Sequence, residues 1–383
     1  MIQDIEQIKK KFLTQCESRF QDNYSVLKNK KIYIYGSGMY GRFLRNALVK
    51  YGCVKKEAVL AYINDFENEF ELDGVPVISY EKLRKPLDSD SCVVVGIENN
   101  EGVVNRLKKD NVFFHTDSFL QFWNSVTLMY NVYQCDEQHW ITNYNQRIER
   151  FHKDLSLDEK LLCSFYTDAK SKEIVQSRLN FYNTGDLSYL ENAPISKNEY
   201  FDSEYYSIGN NEIYVDVGSF NGDSVLGFAR YTKNCFKKIY CFEPDPDNFA
   251  KLKKNVSQLE NVELCPFAVG SENGEILFSG GVGEASGINE HGNIRVLVKK
   301  LDDLIAEPVT FIKMDIEGFE LAALKGATAL IKKNRPKLAI CVYHRVEDML
   351  TIPQYIKSIV PEYHFKLRQH APSLVETVLF AEI

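Results

Sequence analysis

Residues 213–222, Ile-Tyr-Val-Asp-Val-Gly-Ser-Phe-Asn-Gly, join an apolar strand to an acidic residue and a glycine-rich turn. A second apolar run, Lys238-Ile-Tyr-Cys-Phe-Glu243, ends on a carboxylate. Glycines let a backbone approach the charged end of a ligand, and a carboxylate at the tip of a second strand can accept both hydroxyls of a ribose. The two segments together read as a nucleoside-cofactor site. The spacing Asp216-x-Gly218-x-x-x-Gly222 lacks a complete G-x-G-x-x-G, which favours S-adenosylmethionine over a dinucleotide.

Ligands of open parallel sheets settle beyond the carboxyl ends of the strands, so Asp216, Gly218, Gly222, Glu243, Asp315 and His344 are expected to share one crevice. The backbone N–H groups of the 218–222 turn, Ser219 included, are expected to hold the cofactor carboxylate together with the following helix N-terminus. Asp216 either orients that loop or meets the cofactor amino group. Glu243 fits the ribose, with a helix start before Pro244 as the competing role. In Phe311-Ile-Lys-Met-Asp315-Ile-Glu317-Gly318-Phe-Glu320, Asp315 leaves a buried strand where transferred atoms would lie. Glu317 and Glu320 sit at a helix start, where carboxylates complement the dipole, so capping competes with function for both. His344 follows Ala339-Ile-Cys-Val-Tyr343 and is either a general base, since imidazole titrates near neutral pH, or an ordinary hydrogen-bonded histidine. A divalent ion on Asp315 and Glu317 is the other route to acidifying a hydroxyl.

The ordered series Asp216-Val-Gly-Ser-Phe-Asn-Gly-Asp, Phe242-Glu-Pro-Asp-Pro, Phe267-Ala-Val-Gly270, Lys313-Met-Asp-Ile-Glu-Gly-Phe-Glu320 and Leu324-Lys-Gly-Ala327 resembles the FkbM family of S-adenosylmethionine-dependent methyltransferases over about residues 200–383. The resemblance implies O-methylation of hydroxyl groups on sugars and other secondary metabolites, and it adds Ala268 to the cofactor-binding positions. One departure is plain. Many relatives carry an acid shortly before the histidine of the fifth strand, whereas here the run is Ile340-Cys-Val-Tyr343-His344.

Positioning these residues requires a doubly wound α/β sheet over 207–383, with strands near 212–217, 238–242, 261–265, 309–314 and 337–343. A terminal antiparallel hairpin, 363–368 with 376–381, brings the sheet to seven strands and carries His370 and Glu376. Residues 279–292, rich in glycine, read as a mobile lid. Upstream, residues 126–206 read as a helical connector and 1–29 as an N-terminal helix. Residues 30–125 read as a smaller Rossmann-like parallel α/β domain. Its Gly36-x-Gly38-x-x-Gly41 follows a strand and opens a helix, and Asp65 ends the next strand. Alone, this suggests NAD. The unit is also similar to the small domain preceding the catalytic part of certain sugar acetyltransferases, including Tyr62-Ile-Asn-Asp65 and Gly74-Val-Pro-Val-Ile78. Sugar-nucleotide or glycan binding, NAD binding and a ligand-free packing module stay open for it. An NAD-dependent nucleotide-sugar oxidoreductase or epimerase is the rival activity.

The 383 residues, 44% hydrophobic and 26% charged, are those of a soluble globular protein, with no apolar run near the ~20 residues a membrane span needs. The N-terminus lacks the apolar block of a signal peptide, so a cytoplasmic location is expected. A net charge of −7 and a pI near 5.7 leave no basic stripe and disfavour nucleic acid as partner. The expected partner is a small-molecule or glycan hydroxyl acceptor. Nine scattered cysteines without a C-x-x-C pair read as buried thiols.

Overall fold

The computed structural model describes residues 5–66, 69–83, 87–97, 101–116, 144–154, 159–279, 287–288 and 294–383. The chain divides into two compact units, Met1–Tyr144 with Thr184–Leu187, and Asn145–Asn183 with Ser188–Ile383.

The N-terminal unit carries the helix Ile5–Tyr24 and a six-stranded sheet. Its strands are β1 Lys31–Tyr35, β2 Val59–Asn64, β3 Phe70–Leu72, β4 Val75–Ser79, β5 Ser91–Val95 and β6 Phe114–Thr116, in the order β3-β4-β2-β1-β5-β6. All pairings are parallel except that of β3 with β4. The expected parallel α/β domain is present. The antiparallel edge strand was not foreseen, because three residues around the Asp73-Gly74 turn are too few to show an alternation.

In the C-terminal unit, β7 Ile213–Val217, β8 Lys238–Phe242, β9 Val262–Cys265, β14 Phe311–Met314, β15 Lys337–Cys341, β16 His364–Gln369 and β17 Thr377–Glu382 form a seven-stranded sheet. Its order is β16-β17-β15-β14-β7-β8-β9, with the β16–β17 hairpin antiparallel at one edge and parallel pairing elsewhere apart from β15–β17. This is the doubly wound sheet the sequence implies. Every residue of β7 and β14 is buried, as a strand covered by helices on both faces must be. The helix Asp223–Tyr231 turns Val225, Phe228 and Ala229 inward, and Phe228 stacks on Tyr214 with centroids 4.4 Å apart. A second sheet of β10 Ala268–Val269, β13 Ile294–Lys299, β11 Gly274–Ser279 and β12 Gly287–Ile288, in that spatial order, was not expected. The lid expected at 279–292 lies outside the described residues except for 279 and 287–288.

The helices Tyr144–Asp154 and Ala169–Thr184 belong for most of their length to the C-terminal unit. Buried Arg178 donates to Leu374 O at 2.7 Å and Gln369 Oε1 at 3.1 Å and also reaches Thr377 Oγ1, clamping the hairpin end. There His370 N–H donates to Glu376 O at 2.8 Å. The His370 ring donates from Nδ1 to Ser196 O, 3.1 Å away, and burial, with Lys170 and Arg368 nearby, pushes its pKa down to about 4. The unfolded chain binds this proton from about pH 6.5 downward. Stability should therefore fall as the pH drops from about 6.5 through about 4, by at most about 1.4 kcal/mol per pH unit from this residue. Urea unfolding of wild type and His370→Asn at pH 7 and pH 5 tests this, since an equal acid loss in the variant would assign it elsewhere.

Candidate active site

β7 ends at Val217, and Gly218 turns away with φ +82°. A Cβ at Gly218 would lie 1.9 Å from the carbonyl oxygen of Asp315, so only a hydrogen permits the close approach of the β7 and β14 ends. The ladder register sets Lys313 beside Asp216. Lys313 Nζ lies 3.2 Å from Asp216 Oδ1 and donates to Gly218 O at 2.7 Å, while Ser224 Oγ donates to Asp216 Oδ2 at 2.5 Å. Burial alone would lower the Lys313 pKa, but Asp216 and Asp315 raise it above its ordinary value. Wholly buried, Asp216 thus ties the turn to β14 and to the following helix.

The turn does not present the row of open donors expected of it. Gly218 and Ser219 N–H both donate to Phe242 O at 3.0 Å, Phe220 N–H to Glu243 Oε2 at 2.9 Å and Gly222 N–H to Ser219 O at 2.7 Å. Ser219 is itself wholly buried, its hydroxyl donating to Asp216 O at 3.0 Å. A turn this tight folds its own donors onto the tip of β8.

Glu243 stands at that tip, 6% exposed. Its Oε2 takes the Phe220 N–H and its Oε1 the Asp245 N–H at 2.8 Å. These two bonds leave half of the roughly four acceptor positions of a carboxylate available. Burial pushes the Glu243 pKa up to about 7 against the pull of the two donors. The helix Pro246–Asn255 is capped by Asp245, which accepts from Asp247 and Asn248 N–H, so Glu243 is not the cap. Phe220, at φ +45°, is a strained non-glycine position pinned by Glu243. Ala268 lies buried in β10, paired with β13.

Beyond β14, Asp315 keeps 24% of its side chain exposed. Tyr200 Oη donates to Asp315 Oδ2 at 3.0 Å and Tyr343 Oη to Oδ1 at 3.3 Å. His344 Nε2 lies 3.3 Å from Oδ1 and 3.7 Å from Glu317 Oε2, and its Nδ1 lies 2.7 Å from Glu320 Oε1. Burial would raise the Asp315 pKa, yet Lys313 and His344 outweigh it and hold the carboxyl below its ordinary range. For the wholly buried His344, burial works downward, and Glu320, Glu317 and Asp315 overcome it to push the pKa up to about 10. The ring is then an imidazolium at neutral pH. That environment does not suit the general-base role expected for it, because three carboxylates stabilise the protonated form. Arg147, from the helix Tyr144–Asp154, fixes the backbone here by donating to Tyr343 O at 2.6 Å and His344 O at 3.2 Å.

Tyr200, Tyr343, Ser224 and Arg147 were not anticipated. Tyr200 comes from a segment 115 residues before Asp315, and nothing in its spacing announces the contact. Lys313 did carry a signal, a cation inside an apolar strand, which requires a buried anion on a neighbouring strand.

In the N-terminal unit, Gly36 has φ +112° and a Cβ on Gly41 would lie 1.9 Å from Gly36 O, so these glycines pack the helix Met39–Lys50 against the turn. Nothing lies within 4 Å of a Cβ built on Gly38. Asp65 accepts from Tyr35 Oη at 2.6 Å and pairs with Arg106 Nη2 at 2.7 Å, which neutralises the acid a dinucleotide ribose would use.

The sequence from the Asp216 turn to the hairpin, residues 216–370, matches the Methyltransferase FkbM domain. The match lies within the C-terminal unit and covers less than half of the chain. The crystal structure of methyltransferase FkbM from Methylobacillus flagellatus KT is 25% identical with a TM-score of 0.54, over 99% of this chain and 100% of that one. The 2-O-methyltransferase NoeI of Sinorhizobium fredii (strain NBRC 101917 / NGR234) is 26% identical over 148 residues, 32% of this chain. The match spans 60% of the length of that curated relative. The resemblance to sugar acetyltransferases found no counterpart in these matches. Among the described residues no helix is long and apolar enough to cross a membrane.

Proposed function

We propose that the FkbM domain transfers the methyl group of S-adenosylmethionine to a hydroxyl of a sugar, glycan precursor or related metabolite. The observation that carries this reading is Glu243, a nearly buried carboxylate at a strand tip whose oxygens each accept a single N–H. Two hydroxyl donors of a ribose complete its acceptor set and favour its ionised form. When bound, the cofactor supplies an already activated, electrophilic sulfonium methyl group. The chain then has to hold the two reactants aligned and dry, which is worth several kcal/mol. Asp315, ionised and partly exposed between Tyr200 and Tyr343, suits the orientation of an acceptor hydroxyl by accepting its proton in a hydrogen bond. Oxygen as the methylated atom is supported by the name of the similar protein NoeI.

Calorimetric titration separates this reading from the oxidoreductase alternative. S-adenosylmethionine should give a saturable heat and NAD none, and Glu243→Gln should bind the former at least tenfold more weakly, since a lost hydrogen bond to a charged acceptor costs about 1.5–3 kcal/mol. Saturable heat from NAD alone, or an unchanged affinity in the folded variant, rejects the proposal.

A further inference from the structure

We infer, on the methyl-transfer reading, that the carboxylates gathered at Asp315 make the site prefer positively charged S-adenosylmethionine to S-adenosylhomocysteine, the uncharged thioether left once the methyl group has gone. β8, β7 and β14 pair side by side, and Phe242, Val217 and Met314 stand on one rung. Glu243, Gly218 and Asp315 are each the next residue. The two carboxylates therefore flank the Gly218 turn about 10 Å apart, two strand spacings of about 4.8 Å. In the cofactor the sulfonium lies only a few bonds from the ribose hydroxyls, well inside that span. A ribose held by Glu243 brings the sulfonium over the turn and within reach of Asp315 when the adenine points toward β9, the other neighbour of β8.

The charges around Asp315 favour that arrangement because they do not cancel. Lys313 is paired with Asp216, 3.2 Å away, and the imidazolium of His344 with buried Glu320, 2.7 Å away. Asp315 and Glu317 are left in excess, and they are the open members of the group, with 24% and 23% of their side chains exposed. Glu199 hydrogen-bonds both Tyr200 and Glu376 through its side chain. Two carboxyl groups hydrogen-bond to each other only by sharing a proton, so this pair adds one further negative charge near Asp315. Buried Asp348 adds none at neutral pH, since burial and Glu320 push its pKa up to about 8. Such a face attracts a cation and gains nothing from a neutral ligand. At about 5 Å and an effective dielectric constant of about 20, the attraction of one such charge exceeds a factor of ten in affinity. Methyl transfer forms the acceptor's O–C bond, leaves the electron pair of the broken C–S bond on sulfur and releases the hydroxyl proton to solvent. The sulfonium charge is then gone, and the spent cofactor is held less tightly than the molecule that must replace it.

The test needs no acceptor. Calorimetric titration in low-salt buffer compares S-adenosylmethionine, S-adenosylhomocysteine and sinefungin, whose protonated amine carries a positive charge near the position of the sulfonium. Both charged ligands should bind wild type at least tenfold more tightly than the thioether, and Asp315→Asn should cut that preference at least fivefold. Thioether binding as tight as that of S-adenosylmethionine overturns the inference, as does a preference that Asp315→Asn leaves unchanged. Should Asp315→Asn fail to fold, as circular dichroism would reveal, Glu317→Gln decides instead, with a loss of preference of at least threefold expected and an unchanged one refuting. The two claims fail differently. Equal binding of the charged and uncharged forms sinks the charge selection and spares the proposed function, whereas absence of binding by all three ligands overturns both.

Discussion

Replacing Lys313 with methionine should destabilise the C-terminal unit by about 3–5 kcal/mol, the cost of removing one partner from a buried ion pair. The wild-type ammonium lies within 3.2 Å of Asp216 and also satisfies Gly218 O at 2.7 Å. Methionine fills much of the volume and restores neither interaction. Ser224 is then left as the hydrogen-bond donor to a carboxylate with no exposed surface. Such a group relieves itself by taking up a proton, and burial already raises the Asp216 pKa while Lys313 is present. A raised folded pKa means that the variant's native state holds more protons than its unfolded chain. Relative to wild type, Lys313→Met should therefore be less destabilised near pH 5 than near pH 8. Adding Asp216→Asn should recover at least half of the loss, because the buried charge goes with it. Guanidinium unfolding of the four proteins of the cycle at both pH values measures the coupling, and a loss in Lys313→Met that neither pH nor the second substitution alters would show simple packing damage.

The tips of the parallel strands were legible because their sequences leave few alternatives. Ile213–Val217 and Phe311–Met314 are apolar runs broken by one acid and one lysine, and they become neighbours with those two residues in register. Glu243, Asp315 and His344 follow their strands as expected, so their placement at one end of the sheet follows from parallel connectivity. What spacing could not reveal is how each polar group is already used. Ser219 belongs to a turn that suggests ligand contact, yet its hydroxyl closes on Asp216 O. Glu320 began as an equal contest between capping and function, and its oxygen beside His344 Nδ1 depends on a contact between separate elements. The sheet containing β11 and β13 escaped notice because its two long strands are separated in sequence by a glycine-rich stretch, so no short turn marks them as partners. Tyr200 reaches Asp315 from the segment that precedes β7, information that resides in packing and not in local periodicity.

Gly218→Ala should be among the most damaging changes of a single methyl group at the described glycines. The residue holds φ +82°, and an L side chain there costs about 1–3 kcal/mol before any contact is considered. Its Cβ would also stand 1.9 Å from Asp315 O and 3.0 Å from the Ile316 side chain. The first of these is a backbone atom at the end of a central strand, so it cannot swing aside as a flexible side chain would. Relief requires β7 and β14 to part where Lys313 bridges them, or the turn to refold away from Glu243. Together these should destabilise the C-terminal unit by about 3–5 kcal/mol, in the range of a severe core substitution. The N-terminal unit has a sheet and core of its own, so a thermal scan should show the C-terminal transition move to lower temperature with the other less affected. On the proposed function, the surviving folded fraction should bind S-adenosylmethionine at least a hundredfold more weakly, because displacing Phe220 removes one of the two donors that orient Glu243. Gly274→Ala is the matched control. A Cβ there meets nothing within 4 Å, and its effect should stay within about 0.5 kcal/mol. Equal behaviour of the two variants in unfolding and in cofactor titration would refute the idea that the hydrogen at Gly218 is what lets these strand ends meet.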